Sequence, residues 1–222
     1  MITLSNVKTR RDETNSPCIR LTPVVLPEAR SSKTGVSVRY AHDPNKSWYV
    51  FRASYGREDA AFDFLVEDGT YAYVAKRRVR KYINRKPRRV LETLIPNILF
   101  AYTDQEKAEE YVKRTPALPF LSYYYNHFER DGEDRNPPLK VSCREMENFI
   151  LATRNKNEHL MFVKEGQCHF RGGEKVTVVE GMFKGVEGRV ARVHGQQRVV
   201  LSLTTVGLVS TAYVPTAFIK KV

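Results

Sequence analysis

The sequence predicts an α+β protein in two parts, a mixed sheet with flanking helices followed by a small β-barrel. Three observations predict it. Between residues 47 and 153 strand-like runs alternate with segments of helical spacing. Beyond residue 168 only β-branched runs and glycine-bearing turns remain. The 222-residue chain is 41% hydrophobic and 11% aromatic, which supplies enough apolar surface for a core and excludes disorder of the whole.

Residues 1–46 read as a largely irregular extension, because Pro17, Pro23, Pro27 and Pro44 interrupt it and the apolar stretch Leu21 to Leu26 is itself broken by proline. Ser47 to Ala53 is an aromatic and β-branched strand, and Gly56 to Leu65 then sets Ala60, Ala61, Phe64 and Leu65 at helical spacing. Thr70 to Val74 forms a second strand after Asp68-Gly69. Val90 to Thr103 holds two apolar stretches around Ile95-Pro96-Asn97, which predicts two strands about a proline turn. Glu106 to Arg114 is a helix stopped by Pro116, Leu118 to Phe128 an aromatic strand, and 131–138 a loop. Ser142 with Glu145 offers a capping box ahead of Met146, Phe149 and Ile150, so a further helix ends near Thr153. The helices are expected on one face of the sheet. Domain boundaries follow at 47–155 for this unit, 156–167 for a linker and 168–222 for the barrel, with strands over 175–179, 188–193, 198–203 and 208–214.

Charge narrows the function. The net +12 implies an anionic partner, and it divides unevenly: eight cations against four acids over 1–46, 21 against 18 over 47–165, and eight against three over 166–222. Inside the near-balanced middle segment, residues 76–89 hold nine cations and no acid: Lys76, Arg77, Arg78, Arg80, Lys81, Arg85, Lys86, Arg88 and Arg89. Such a run attracts phosphate without reading sequence, and the interleaved Tyr82 is placed to stack on a base. A solvated hairpin tip is the alternative.

Catalysis has little support. His42, His127, His159, His169 and His194 are scattered, no serine sits in a Gly-x-Ser-x-Gly elbow, and there is no phosphate loop or carboxylate set at metal-ligand spacing. Asp131, Glu133 and Asp134 crowd a loop and read as solvated turn residues. Cys18, Cys143 and Cys168 are too far apart for a disulfide framework or a zinc site. No apolar run reaches membrane-helix length and residues 1–30 lack a leader pattern, so no membrane, no metal and no cofactor are expected, and the location is cytoplasmic.

Two stretches carry a family resemblance. Gly173 to Val190, with Gly181, Gly185 and Gly188 spaced around Phe183, resembles a KOW motif; the glycines shape its turns and Phe183 plugs a small barrel. Trp48-Tyr49-Val50, Gly56 and Glu92 to Phe100 resemble the N-terminal domain of NusG-type transcription factors. Together they cover roughly residues 47 to 222. The order implies an NGN domain joined to an SH3-like KOW barrel, in a protein that binds RNA polymerase and suppresses pausing or termination. Leu121 to Phe128, Asn157-Glu158-His159 and Gly195 to Val200 look most like UpxY-type antiterminators of capsular polysaccharide operons.

The resemblance also implies sites. Phe51, Leu94, Ile95 and Pro96 fall in stretches that grip the polymerase clamp, with Trp48 read as core, Phe51 as core or contact, and Leu94 and Ile95 as apolar groups exposed at a surface turn. The basic run matches a variable loop near the nucleic acid of the elongation complex. The barrel, on its linker, is expected to recruit a further protein or RNA partner. A general RNA-binding or ribosome-associated KOW protein is the other reading, though it leaves Trp48 to Asp104 without a purpose; a nucleic-acid enzyme is a distant third.

Overall fold

The computed structural model describes residues 42–163, 169–203 and 206–222. Leu21 to Leu26, Cys18 and Cys168 lie outside them. The N-terminal unit is built on strand β1 (Ser47–Ala53), which pairs antiparallel with β5 (Ile98–Thr103) on one side and with β6 (Leu121–Tyr123) and β7 (Lys140–Val141) on the other. Strand β2 (Tyr71–Tyr73) extends the sheet beyond β5. Every one of these pairings is antiparallel, so the expected mixed sheet is replaced by an antiparallel one.

Helices cover both faces rather than one. Helix α1 (Glu58–Glu67) and the short α2 (Gln105–Glu109) pack Ala61, Phe62, Leu65 and Ala108 against Tyr49, Phe51, Leu99 and Ala101. On the opposite face α3 (Cys143–Thr153) sets Met146, Phe149 and Ile150 against Trp48, Val50 and Phe100. The Phe149 ring lies 5.4 Å from Phe100 and 5.8 Å from Tyr73, centroid to centroid. Because β1 is covered on both sides, its odd and even residues are buried alike from Trp48 to Ala53, except Arg52.

Local chemistry sets the helix ends. The hydroxyl of Ser142 accepts from the Glu145 N–H and the Glu145 carboxylate accepts from the Ser142 N–H, the predicted capping box. Helix α1 closes with the Thr70 N–H on the Leu65 carbonyl at 2.8 Å and the Gly69 N–H on Val66 at 3.1 Å, a Schellman arrangement. Residues 76–93, expected in part as a loop, instead form a two-stranded ribbon of β3 (Lys76–Ile83) and β4 (Lys86–Thr93). Strand β4 therefore pairs with β3 and not across the proline turn with β5.

The C-terminal unit is a six-stranded antiparallel sheet in the order β13 (Ile219–Lys221), β9 (His169–Val178), β10 (Glu187–Val193), β11 (Gln196–Leu203), β12 (Gly207–Tyr213), β8 (Met161–Val163). Among the described residues no pairing joins β13 to β8, so the sheet is open where a closed barrel was expected. Strand β8 comes from the segment assigned to a linker; it pairs with β12. Gly188 is needed for a close approach, since a Cβ there would lie 2.6 Å from the Val200 carbonyl oxygen.

The two units share one core. Val176 and Val178 of β9, with Phe183 and Val186 of the turn to β10, join the cluster that contains Met146 and Phe149 of α3. Polar contacts fix the register: the Asn148 side chain donates to the Glu187 carbonyl at 2.6 Å and accepts from the Glu187 N–H at 2.8 Å, and Arg144 meets the Glu187 carboxylate at 2.9 Å. Gly185 faces the same contact; its φ is +89°, and a Cβ would lie 3.2 Å from Leu151 Cδ2. The sequence leaves open whether the two parts pack together or swing free; here the C-terminal unit is docked on α3. Asn148→Ala should lower the unfolding free energy of the full chain by about 1–3 kcal/mol, because both groups of Glu187 lose a half-buried partner. Chemical denaturation measures it, and an unchanged midpoint would mean the units part in solution.

Candidate nucleic-acid interface

The basic run folds as a ribbon because its ends can bury what its middle cannot. Lys76 pairs with Thr93 and Val79 with Val90 in the ladder, the Leu94 N–H donates to the Ala75 carbonyl at 2.7 Å, and the Lys76 ammonium meets Asp59 of α1 at 2.8 Å. At the tip Asn84 (φ 52°) and Arg85 (φ 60°) occupy the two positive-φ positions of a tight hairpin, where Asn-Gly is the usual pair. Between base and tip, Arg80 stands opposite Arg89 and Lys81 opposite Arg88. Like charges directly opposite destabilise a ladder, so this stretch is shaped for something other than its own stability.

Register sorts the charges by face, since side chains alternate along each strand. One face carries Lys76, Arg78, Arg80 and Tyr82 from β3 with Pro87, Arg89 and Leu91 from β4, and at its base Lys76 meets Asp59. Tyr82 is 75% exposed there. The other face carries Arg77, Val79, Lys81, Ile83, Lys86, Arg88 and Glu92. Here Lys81 pairs with Glu92, and Arg77 donates through a terminal nitrogen to the Leu160 carbonyl at 3.0 Å. The nine cations are therefore not equivalent: Lys76 and Arg77 are tied to the body, Lys81 pairs within the ribbon, and Arg78, Arg80 and Arg89 share a face with an open aromatic ring.

The expected apolar contact surface is mostly interior. Leu94 and Ile95 are only 4% and 5% exposed and belong to the core with Tyr73 and Ala75, so they are not surface groups awaiting a partner. Phe51 is fully buried and stacks on Tyr123 at 5.6 Å; the sequence left it as core or contact, and it is core. Pro96 alone of the four is exposed. In the C-terminal unit Phe183 is buried, Gly181 and Gly185 have positive φ, and Gly188 lies in β10.

A neighbouring feature went unread in the sequence. Tyr55, 91% exposed, sits at φ 63° in the turn between β1 and α1. Asn97, itself at φ 62°, clasps that turn: its carbonyl accepts from the Ala53 N–H at 2.9 Å and its side chain from the Gly56 N–H at 3.0 Å. Two left-handed non-glycine residues holding an aromatic ring in solvent store backbone strain beside Pro96. The signal available beforehand was Ser-Tyr-Gly at a strand-to-helix turn and Pro-Asn opposite it.

The α+β domain thus carries a projecting cationic ribbon and is joined to an antiparallel sheet. Among the described residues no group of three or more His, Cys, Asp or Glu is placed to hold a metal, and no helix is long and apolar enough to cross a membrane. Residues 46–150 match the NusG family model, whose description is transcription termination factor nusG. The match runs from the start of β1 through the ribbon to the third turn of α3, so this part of the chain is similar to the NusG family. No curated protein is similar enough to the chain to count as a match.

Proposed function

We propose that this chain is a transcription elongation and antitermination factor that docks on the clamp of RNA polymerase and suppresses pausing or termination on particular operons, capsular polysaccharide loci among them. The observation that carries it is the coincidence of the NusG-family match with a ribbon whose open face is almost free of acid. The polymerase contact is the exposed rim at Pro96 and Tyr55, with Phe51, Leu94 and Ile95 supporting it from beneath. Arg78, Arg80 and Arg89 hold the nucleic acid of the elongation complex, which favours the pause-resistant state by binding it better. The C-terminal unit is an SH3-like KOW module that takes a second protein or RNA partner, and the protein works in the cytoplasm without a cofactor.

Purified chain added to elongation complexes is expected to co-elute with polymerase and to shorten pauses several-fold. Absence of both effects, with the chain folded, would overturn the reading.

A further inference from the structure

The turn that joins the two units brings a cation to the ribbon that the ribbon's own sequence does not contain. Lys156 follows α3 and is held at φ 49° by a bond from its N–H to the Thr153 carbonyl at 2.9 Å. Its own carbonyl accepts the Arg78 N–H at 3.0 Å, along the edge of β3 that faces away from β4. The Arg77 guanidinium, leaving by the other face, is anchored four residues further on at the Leu160 carbonyl. These two bonds lay residues 156–160 against β3. Lys156 is half-buried, and its ammonium is held below the ordinary lysine value by desolvation first and then by the charges of Lys76 and Arg78. Both belong to the open face, and the Arg78 N–H bond sets the Lys156 backbone beside Arg78. Asp59 is engaged by Lys76, and Glu92 lies on the opposite face with Lys81. Among the described residues no carboxylate forms an ion pair with Lys156.

We propose that Lys156 completes a phosphodiester-binding track with Arg78, Arg80 and Arg89, so that nucleic acid grips the ribbon and the inter-unit turn together. This rests on the reading of the ribbon given above and adds a residue to it. Same-face residues along a strand repeat at about 6.8 Å, which suits a run of phosphates on an extended strand. Tyr82 on that face adds a stacking platform. An acidic protein surface would use the cations but not the ring, which favours single-stranded nucleic acid. Convergent cations repel one another in the free protein, and a bound phosphate relieves that repulsion.

The test is fluorescence anisotropy of a labelled single-stranded oligonucleotide with the full chain over a range of salt. Lys156→Asn removes the charge, while asparagine tolerates the left-handed backbone, so thermal unfolding should be unchanged or slightly later. The slope of log affinity against log salt is expected to fall by about 0.7 for Lys156→Asn and by about twice that for Arg80→Gln with Arg89→Gln, and Lys156→Arg should restore it. A silent Lys156→Asn beside an effective arginine pair would overturn the role of Lys156 alone. If the arginine pair is also silent, the ribbon reading falls with it. Polyglutamate binding as tight as the oligonucleotide would assign the track to an acidic protein instead and overturn the phosphodiester proposal.

Discussion

Leu94→Asp combined with Ile95→Asp is expected to leave the N-terminal unit unfolded. Both side chains sit in the core with Trp48, Tyr73 and Phe100, and the backbone around them is committed as well, through the Leu94 N–H on Ala75 and the Ile98 N–H on Ile95. Truncating one buried leucine to alanine costs about 2–5 kcal/mol. A carboxyl group without a buried partner adds its own desolvation cost, and two such changes reach the ~5–15 kcal/mol that holds an ordinary domain together. Circular dichroism and denaturant titration of the variant measure the effect. A cooperative transition within about 1 kcal/mol of the parent would show that the two side chains are exposed in solution. Pro96→Ala, at an exposed position, should change stability by less than about 0.5 kcal/mol and is the fair probe of the proposed polymerase contact.

The contrast between Pro96 and its neighbours shows what a sequence can carry. The capping box at Ser142 and Glu145, the strand at Ser47–Ala53 and the helix over Glu58–Glu67 were legible because their causes are local: a hydroxyl three residues from a carboxylate, a run of β-formers, a helical repeat. Burial of Phe51, Leu94 and Ile95 was not legible, because it depends on helices closing over both faces of β1, which defeats any argument from alternation. The ribbon was half hidden for a different reason. Nine cations lower the apparent strand propensity, and Arg85 stands where glycine would mark the turn, so only Asn84 and the facing valines pointed to a hairpin. Met161–Val163 is too short to show a period at all; it is a strand because β12 offers it an edge. The docking of α3 on the C-terminal sheet lay in Asn148 and Glu187, 39 residues apart, a pairing that no local pattern announces.

Removing three positive charges from either face of the ribbon changes the net charge equally, yet the two variants should behave differently. Arg78→Gln with Arg80→Gln and Arg89→Gln strips the open face; Lys81→Gln with Lys86→Gln and Arg88→Gln strips the other, where Lys81 is already engaged by Glu92. If phosphates lie along the open face, the first variant loses about three contacts, its salt slope for single strands falls by about 2, and its affinity drops about tenfold or more. The second should keep most of the slope, since only long-range attraction is weakened, and salt screens that beyond about 10 Å at 0.1 M. Equal losses in the two variants would mean diffuse attraction and would remove the case for a built face. Unfolding cannot mimic the expected result: Arg80 and Arg89 repel across the ladder, so replacing them should leave the ribbon as stable as before or slightly more so, and a weaker binder with an undiminished melting temperature isolates the lost contact.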